Sequence, residues 1–253
     1  MLGAAIGNII GTRYEPERHK KHFKLFDHTS AFGVGTICTA AISDWILNGC
    51  TQSPTHYLQK WGRRYPHPDE PYSDEFNSWL WQGNPQPYGS FGPGAAMRVS
   101  AVGWAFHSLS ETLNCACDSA AVTHNHTEGI KGAQAVAAAI FWARTGESKS
   151  FIRDNTARLF GYDVGKPLTQ TVNAAAHGSQ QLVTQAISVF LAGETFEETL
   201  WLSLSSGGNH TARITIAASI AEAYYRGIPP HIKQGAMRVL PEDMAAVLLN
   251  VPM

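Results

Sequence analysis

The run IKGAQAVAAAIFWAR, residues 130–144, most narrows what this chain can fold into. It is alanine-rich and apolar on several sides, so its helix belongs inside a protein rather than on a surface. Gly146 follows as a natural stop. Between residues 36 and 47, Ile37, Ala40, Ala41, Ile42, Trp45 and Ile46 recur at helical spacing, and Asn48-Gly49 ends that pattern. Residues 180–191, 196–204 and 212–225 repeat it, Pro229-Pro230 breaks the last of these, and 241–249 forms a final short helix. No clear series of alternating strand runs joined by tight turns competes with this reading. The proline-rich stretch 65–94 is expected as loop, with a short helical piece at 76–81. No linker, composition break or repeat divides the chain, so one all-α domain over residues 1–253 is expected.

With 253 residues, 44% of them apolar, the chain can bury a substantial core, which makes disorder a poor reading. Lys plus Arg number 19 against 20 acids, a formal charge of -1, and no global field recruits nucleic acid or an anionic membrane. Charged residues reach only 15%, against roughly 25% in ordinary globular chains, so acids are scarce. The cysteines Cys38, Cys50, Cys115 and Cys117 are too few for a disulfide scaffold and wrongly spaced for a zinc hairpin, and free thiols are expected. The opening run MLGAAIGNIIG is a poor signal peptide and too short to span a bilayer, and cytoplasmic residence is the expectation. Arg18, His19, Lys20, Lys21 and His22 form a small cationic cluster, read first as a solvated loop and second as a contact for phosphate or an acidic partner.

Glycines, histidines and small polar residues gather beside helix starts at residues 3–15, 32–36, 90–98 and 207–211. Helix N-termini expose unpaired N–H groups that suit anionic oxygens, and glycines let backbone approach a ligand. Gly92-Pro93-Gly94 by itself is more simply a turn. His124 and His126 flank Asn125 ahead of a helix, with Thr127 a candidate cap; structural roles outweigh a metal pair there.

The order of these segments, more than any one of them, resembles the ADP-ribosylglycohydrolase family. The residues carrying the resemblance are MLGAAIGNIIGTRYE (1–15), SFGPGAAMRVSAVGWAF (90–106), THNHTEGIKGAQAVAAAIFWARTG (123–146) and SGGNHTARITIAASIAEAYYRGIP (206–229), and the match they anchor extends over almost the whole chain. The resemblance implies a compact all-α domain that binds two Mg²⁺ or Mn²⁺ ions in a cleft. It also implies cleavage of the glycosidic bond between ADP-ribose and its acceptor.

The departures fall on the positions that bind metal in that family. Its Phe-Thr-Asp-Asp-Thr motif appears as Phe32-Gly33-Val34-Gly35-Thr36, and its Gly-Gly-Asp-Ser/Thr-Asp-Thr motif as Gly207-Gly208-Asn209-His210-Thr211-Ala212. Its N-terminal Gly-Asp pair becomes Gly7-Asn8, the asparagine of its Gly-Asn-Gly loop becomes Pro93, and its Gly-Ser-Val-Pro run becomes Gln181-Leu182-Val183-Thr184. Mg²⁺ and Mn²⁺ are hard cations that need carboxylate charge, and two of them repel fourfold more than two unit charges at the same distance. Gly33, Val34, Gly35, Asn209, His210 and Thr211 are therefore expected to be degenerate metal positions that hold no dinuclear centre.

Without that centre the expectation is a pseudoenzyme that works by binding, with Gly92, Gly94, His126, Gly207 and Gly208 as ligand contacts carried over by resemblance. Its expected ligands are ADP-ribose, an ADP-ribosylated macromolecule or a protein partner, for example an ADP-ribosylating toxin that it inhibits, with neither membrane nor general nucleic-acid binding. The competing expectation is an active hydrolase with rearranged ligands. It would keep Mg²⁺ or Mn²⁺, or use a softer metal or a histidine base drawn from His124, His126, His177 and His210.

Overall fold

Fifteen helices and no strand occur among the residues that the computed structural model describes, which are 1–14, 23–171, 178–205, 208 and 210–251. In chain order they are α1 (Leu2–Arg13), α2 (Val34–Leu47), α3 (Pro54–Arg64), α4 (Asp74–Trp81), α5 (Gly94–Arg98), α6 (Ser100–Ala105), α7 (Leu109–Ala121) and α8 (Thr127–Thr145). The second half contributes α9 (Lys149–Phe160), α10 (Leu168–Thr171), α11 (Ser179–Ala192), α12 (Phe196–Ser205), α13 (His210–Tyr224), α14 (Pro230–Met237) and α15 (Glu242–Leu249). The cationic cluster at residues 18–22 and His177 lie outside the described residues.

Gly3, Gly7 and Gly11 recur every four residues and so line one face of α1. A Cβ on Gly3 would lie 2.5 Å from the carbonyl oxygen of Ala218, and one on Gly7 would lie 2.5 Å from that of Ile214. Both partners are backbone of α13, so the two helices touch main chain to main chain in a way no larger residue permits. Residues Leu2 to Gly11 are buried, as are most of α13 and α8. These three helices form the centre, with α13 against α1, α8, α11 and α12, and α8 against α5, α6, α7 and α11. Helix α2 packs on α1, α3, α5, α6 and α15 and completes the layer that carries the site.

The helix ends follow local chemistry. Serines cap α3, α4, α7 and α9: Ser53, Ser73, Ser108 and Ser148 each accept from a first-turn backbone N–H at 3.1–3.3 Å. Gly146 closes α8 with φ 94°, and Gly49, φ 67°, follows the end of α2. The cap of α8 is His126, whose Nδ1 accepts from Glu128 N at 3.1 Å, rather than Thr127, which is already the first helical residue. All four cysteines are free thiols. No helix among the described residues is long and apolar enough to cross a membrane.

Candidate functional site

Asn8 organises the start of α2. Its side chain is fully buried on α1, and its Oδ1 accepts from Gly33 N at 3.0 Å, Thr36 N at 3.0 Å and Thr36 Oγ1 at 2.8 Å. Its Nδ2 donates to Glu70 Oε2 at 2.9 Å. Glu70 arrives from the proline-rich excursion, held there by a bond from Val34 N to its own carbonyl at 3.3 Å. Burial pushes the Glu70 carboxyl above the usual carboxylate range, while Asn8 and Thr12 pull it part of the way back. Room for this carboxylate exists because residue 33 is glycine: a Cβ there would lie 2.6 Å from Glu70 Cβ. Among the described residues, no three His, Cys, Asp or Glu side chains converge as a metal site.

The second motif adjoins the same helix from its C-terminal end. A Cβ on Gly11 would meet Thr211 Cα at 2.8 Å, so α1 lies against both the start of α2 and the start of α13. Gly208 has φ 67°, and its carbonyl accepts from His210 N at 2.8 Å and contacts His210 Nδ1 at 3.0 Å. His210 stands edge-on to Tyr14 at 5.3 Å, and burial lowers its pKa. Gly207 and Asn209 lie outside the described residues.

Beside the α2 start lies a cavity of about 300 Å³. Val34, Gly35 and Cys38 of α2 line it, together with Phe76 of α4, Tyr88, and Gly92, Gly94, Met97, Arg98 and His124. The structure thus brings Val34, Gly35, Gly92 and Gly94 together, with Gly33 one residue outside. It places His126 apart from them, exposed at the α8 cap with its ring 5.9 Å from that of Phe91.

Arg98 was quoted in the resemblance but given no role, and its position is unusual. Its side chain is 1% exposed, and its Nη2 donates to Ser119 O at 2.6 Å and Thr123 Oγ1 at 2.9 Å. The first bond tethers the guanidinium to the C-terminal turn of α7, where a cation suits the helix dipole. Thr123 Oγ1 in turn contacts His124 Nδ1 at 2.7 Å. With the hydroxyl hydrogen directed to Nδ1, the ring keeps its own hydrogen on Nε2, the atom that a Cβ on Gly94 would meet at 3.0 Å. Burial, with Arg98 nearby, drives the His124 pKa down to about 3, and desolvation pushes Cys38 up to about 11 and Tyr88 up to about 12. At neutral pH these three groups are uncharged, and Arg98 is the charged side chain in the cavity lining.

Sequence reasoning missed Glu70 and Arg98 as site residues. Glu70 meets Asn8 across 62 residues of chain, and nothing local marks it. Arg98 did leave a signal: it is the lone charge in the small and apolar stretch GPGAAMRVSAVGW.

This all-helical scaffold, with a cleft edge built from three motif segments, can be set beside known proteins. A profile of the ADP-ribosylglycohydrolase family matches residues 1–251, and the chain belongs to that family. It is 30% identical over 178 residues to an uncharacterized protein of Archaeoglobus fulgidus, an alignment covering 63% of this chain. The chain spans 58% of the length of that relative. Its fold is similar to that of a solved structure titled ADP-ribosylglycohydrolase-related protein complex, with a TM-score of 0.71 at 19% identity, covering 97% of this chain and 93% of the other.

Proposed function

We propose that this chain is a member of the ADP-ribosylglycohydrolase family that holds an ADP-ribosyl or related nucleotide group in the cavity beside α2 without hydrolysing it at a dinuclear metal centre. The observation that carries this reading is the bonding of Asn8. At the start of α2, Val34 and Gly35 stand where the resemblance puts the family's paired carboxylates, and Gly33 where it puts the preceding hydroxyl. The one amide oxygen nearby already accepts three hydrogen bonds. Glu70 is a single carboxylate, and in the second motif Asn209 and Thr211 stand in place of the acids, with His210 in place of a hydroxyl residue. This donor set does not fit two hard divalent cations, whose mutual repulsion needs several negative ligands to offset it. Gly92, Gly94 and the cavity walls remain available to a ligand, as do Gly207 and Gly208 by sequence.

Titration calorimetry with ADP-ribose in the presence of a chelator is expected to show saturable heat. Release of ADP-ribose from ADP-ribosylated arginine and serine substrates is expected at background with Mg²⁺, Mn²⁺ or Zn²⁺. Chelator-sensitive turnover would overturn the reading. The alternative of a hydrolase with rearranged ligands draws on Glu70, a half-buried carboxyl whose raised pKa suits general acid or base work. Glu70→Gln separates the two, since it abolishes turnover in a hydrolase and leaves the ADP-ribose affinity of a binding protein nearly unchanged.

A further inference from the structure

We propose that Cys50 and Cys115 form a peroxide-reactive dithiol, which closes to a disulfide that ties the turn after α2 to the middle of α7. The pair lies outside the cavity beside α2 and is independent of the function proposed above.

The turn after α2 holds its thiol in a fixed place. Gly49 with φ 67° and Cys50 with φ 56° are two successive left-handed residues, a conformation that a cysteine adopts only at some cost. Bonds from Gly49 N to Ile46 O at 2.9 Å and from Cys50 N to Trp45 O at 3.1 Å secure it, and Trp45 Nε1 donates to Gln52 O at 2.8 Å just beyond. Cys50 packs against the apolar core and also lines an open cavity of about 530 Å³ with Asp118, Ala121 and Val122 of α7. Cys115, three residues before Asp118 and so on the same side of α7, is buried, and its thiol is hydrogen-bonded to that of Cys50. The other two cysteines are badly placed to compete. Cys117 is two residues from Cys115 and faces another side of the helix, and Cys38 is buried in the lining of the cavity beside α2. Helices α2 and α7 share little packing of their own, so a covalent link between them is a new constraint.

The two thiols differ in a way that orders the chemistry. Cys50 is half-buried and reached through the open cavity, and the hydrogen bond from Cys115 holds its thiol below the usual range against the opposing pull of burial and Asp118. The same bond, with burial, pushes Cys115 up, which makes Cys50 the nucleophile. The Cys50 thiolate attacks one oxygen of hydrogen peroxide. The S–O bond forms as the O–O bond breaks, and the departing hydroxide takes up the proton that Cys50 gave up. Cys115 Sγ then attacks Cys50 Sγ, the S–S bond forms as the S–O bond breaks, and the second hydroxide leaves with the Cys115 proton. Two thiols are oxidised to a disulfide and one peroxide is reduced to two waters.

The test treats the whole reduced chain with excess hydrogen peroxide in the presence of a chelator. Titratable thiols are expected to fall from four to two, with a Cys50–Cys115 linked peptide in a non-reducing map. The melting temperature is expected to rise by about 5 °C and to return on reduction, because a ring over residues 50–115 restricts the unfolded chain. Cys115→Ala is expected to stop at a Cys50 sulfenic acid that dimedone captures, with no rise in melting temperature. Because a buried cysteine can matter for folding, Cys50→Ser at the half-buried position serves as the second variant, and it is expected to keep all three remaining thiols. Four thiols surviving in the wild type would overturn the proposal. So would a bond from Cys50 to Cys38, Cys117 or a second copy of the chain, or Cys50 carried to the sulfinic acid with Cys115 still free.

Discussion

Asn8 makes four hydrogen bonds from a site with no exposure to water, and each atom of its amide has one role. Asn8→Asp keeps an acceptor for Gly33 and Thr36 but removes the donor to Glu70 and sets two carboxyl groups side by side. We expect it to lower stability at neutral pH by about 1–3 kcal/mol in urea denaturation, with the deficit shrinking as the pair takes up a proton in mild acid. Adding Glu70→Gln should recover most of the loss, because the introduced carboxylate then faces a neutral amide. His124 supplies a second test. Its pKa falls from 6.5 to about 3 on folding, so in this window the unfolded chain binds a proton that the folded chain refuses. Stability therefore drops as pH falls below 6.5, by up to about 1.4 kcal/mol per unit from this group alone. His124→Gln, which can still accept from Thr123, should flatten that arm between pH 6.5 and the carboxylate range in denaturation curves recorded across pH. Neither behaviour could be read from the sequence, which shows an Asn after a Gly and a His before an Asn.

At the scale of elements, much of the plan was legible. The alanine-rich run became α8, and the helices expected at 36–47, 180–191, 196–204 and 212–225 appear within a few residues of those bounds as α2, α11, α12 and α13. They were visible because each buries one or more faces, and burial imposes a spacing on apolar residues. Helices α3, α7 and α9 stand out less for the complementary reason. Each buries one narrow stripe, such as Tyr57, Leu58 and Trp61 in α3 or Ile152, Thr156 and Phe160 in α9, and the rest of its surface is polar. The opening run was recognised as apolar and glycine-rich, yet glycine every fourth residue argues against a free helix and makes sense only beside α13. Gly7→Ala should gain the roughly 1 kcal/mol of helix propensity and still lose stability, by about 2 kcal/mol net. The new methyl would press on the backbone of Ile214 and Thr215. Gly83→Ala, where a Cβ meets nothing within 4 Å, should leave the melting temperature almost unchanged in the same calorimetric scan.

Over the whole molecule, one continuous apolar cluster extends from Met1 to Val251, and α1, α8 and α13 lie at its centre. Amide hydrogen exchange is expected to be slowest in these three helices and faster in α3 and α14, which keep a solvent face. Family membership was legible at this scale because four ordered segments carry it, while the chemistry of the site was not, because Glu70 meets Asn8, and Arg98 meets Thr123 beside His124, across distant parts of the chain. The glycine contact between α1 and α13 has a bearing on synthesis. Gly3 N–H reaches Glu222 Oε2 at 2.9 Å across 219 residues, so α1 is synthesised long before the helix that covers its bare stripe. Until then the nascent chain carries an unshielded apolar surface, a natural place for a holdase to grip, and a translation product halted before α13 is destined for aggregation or degradation.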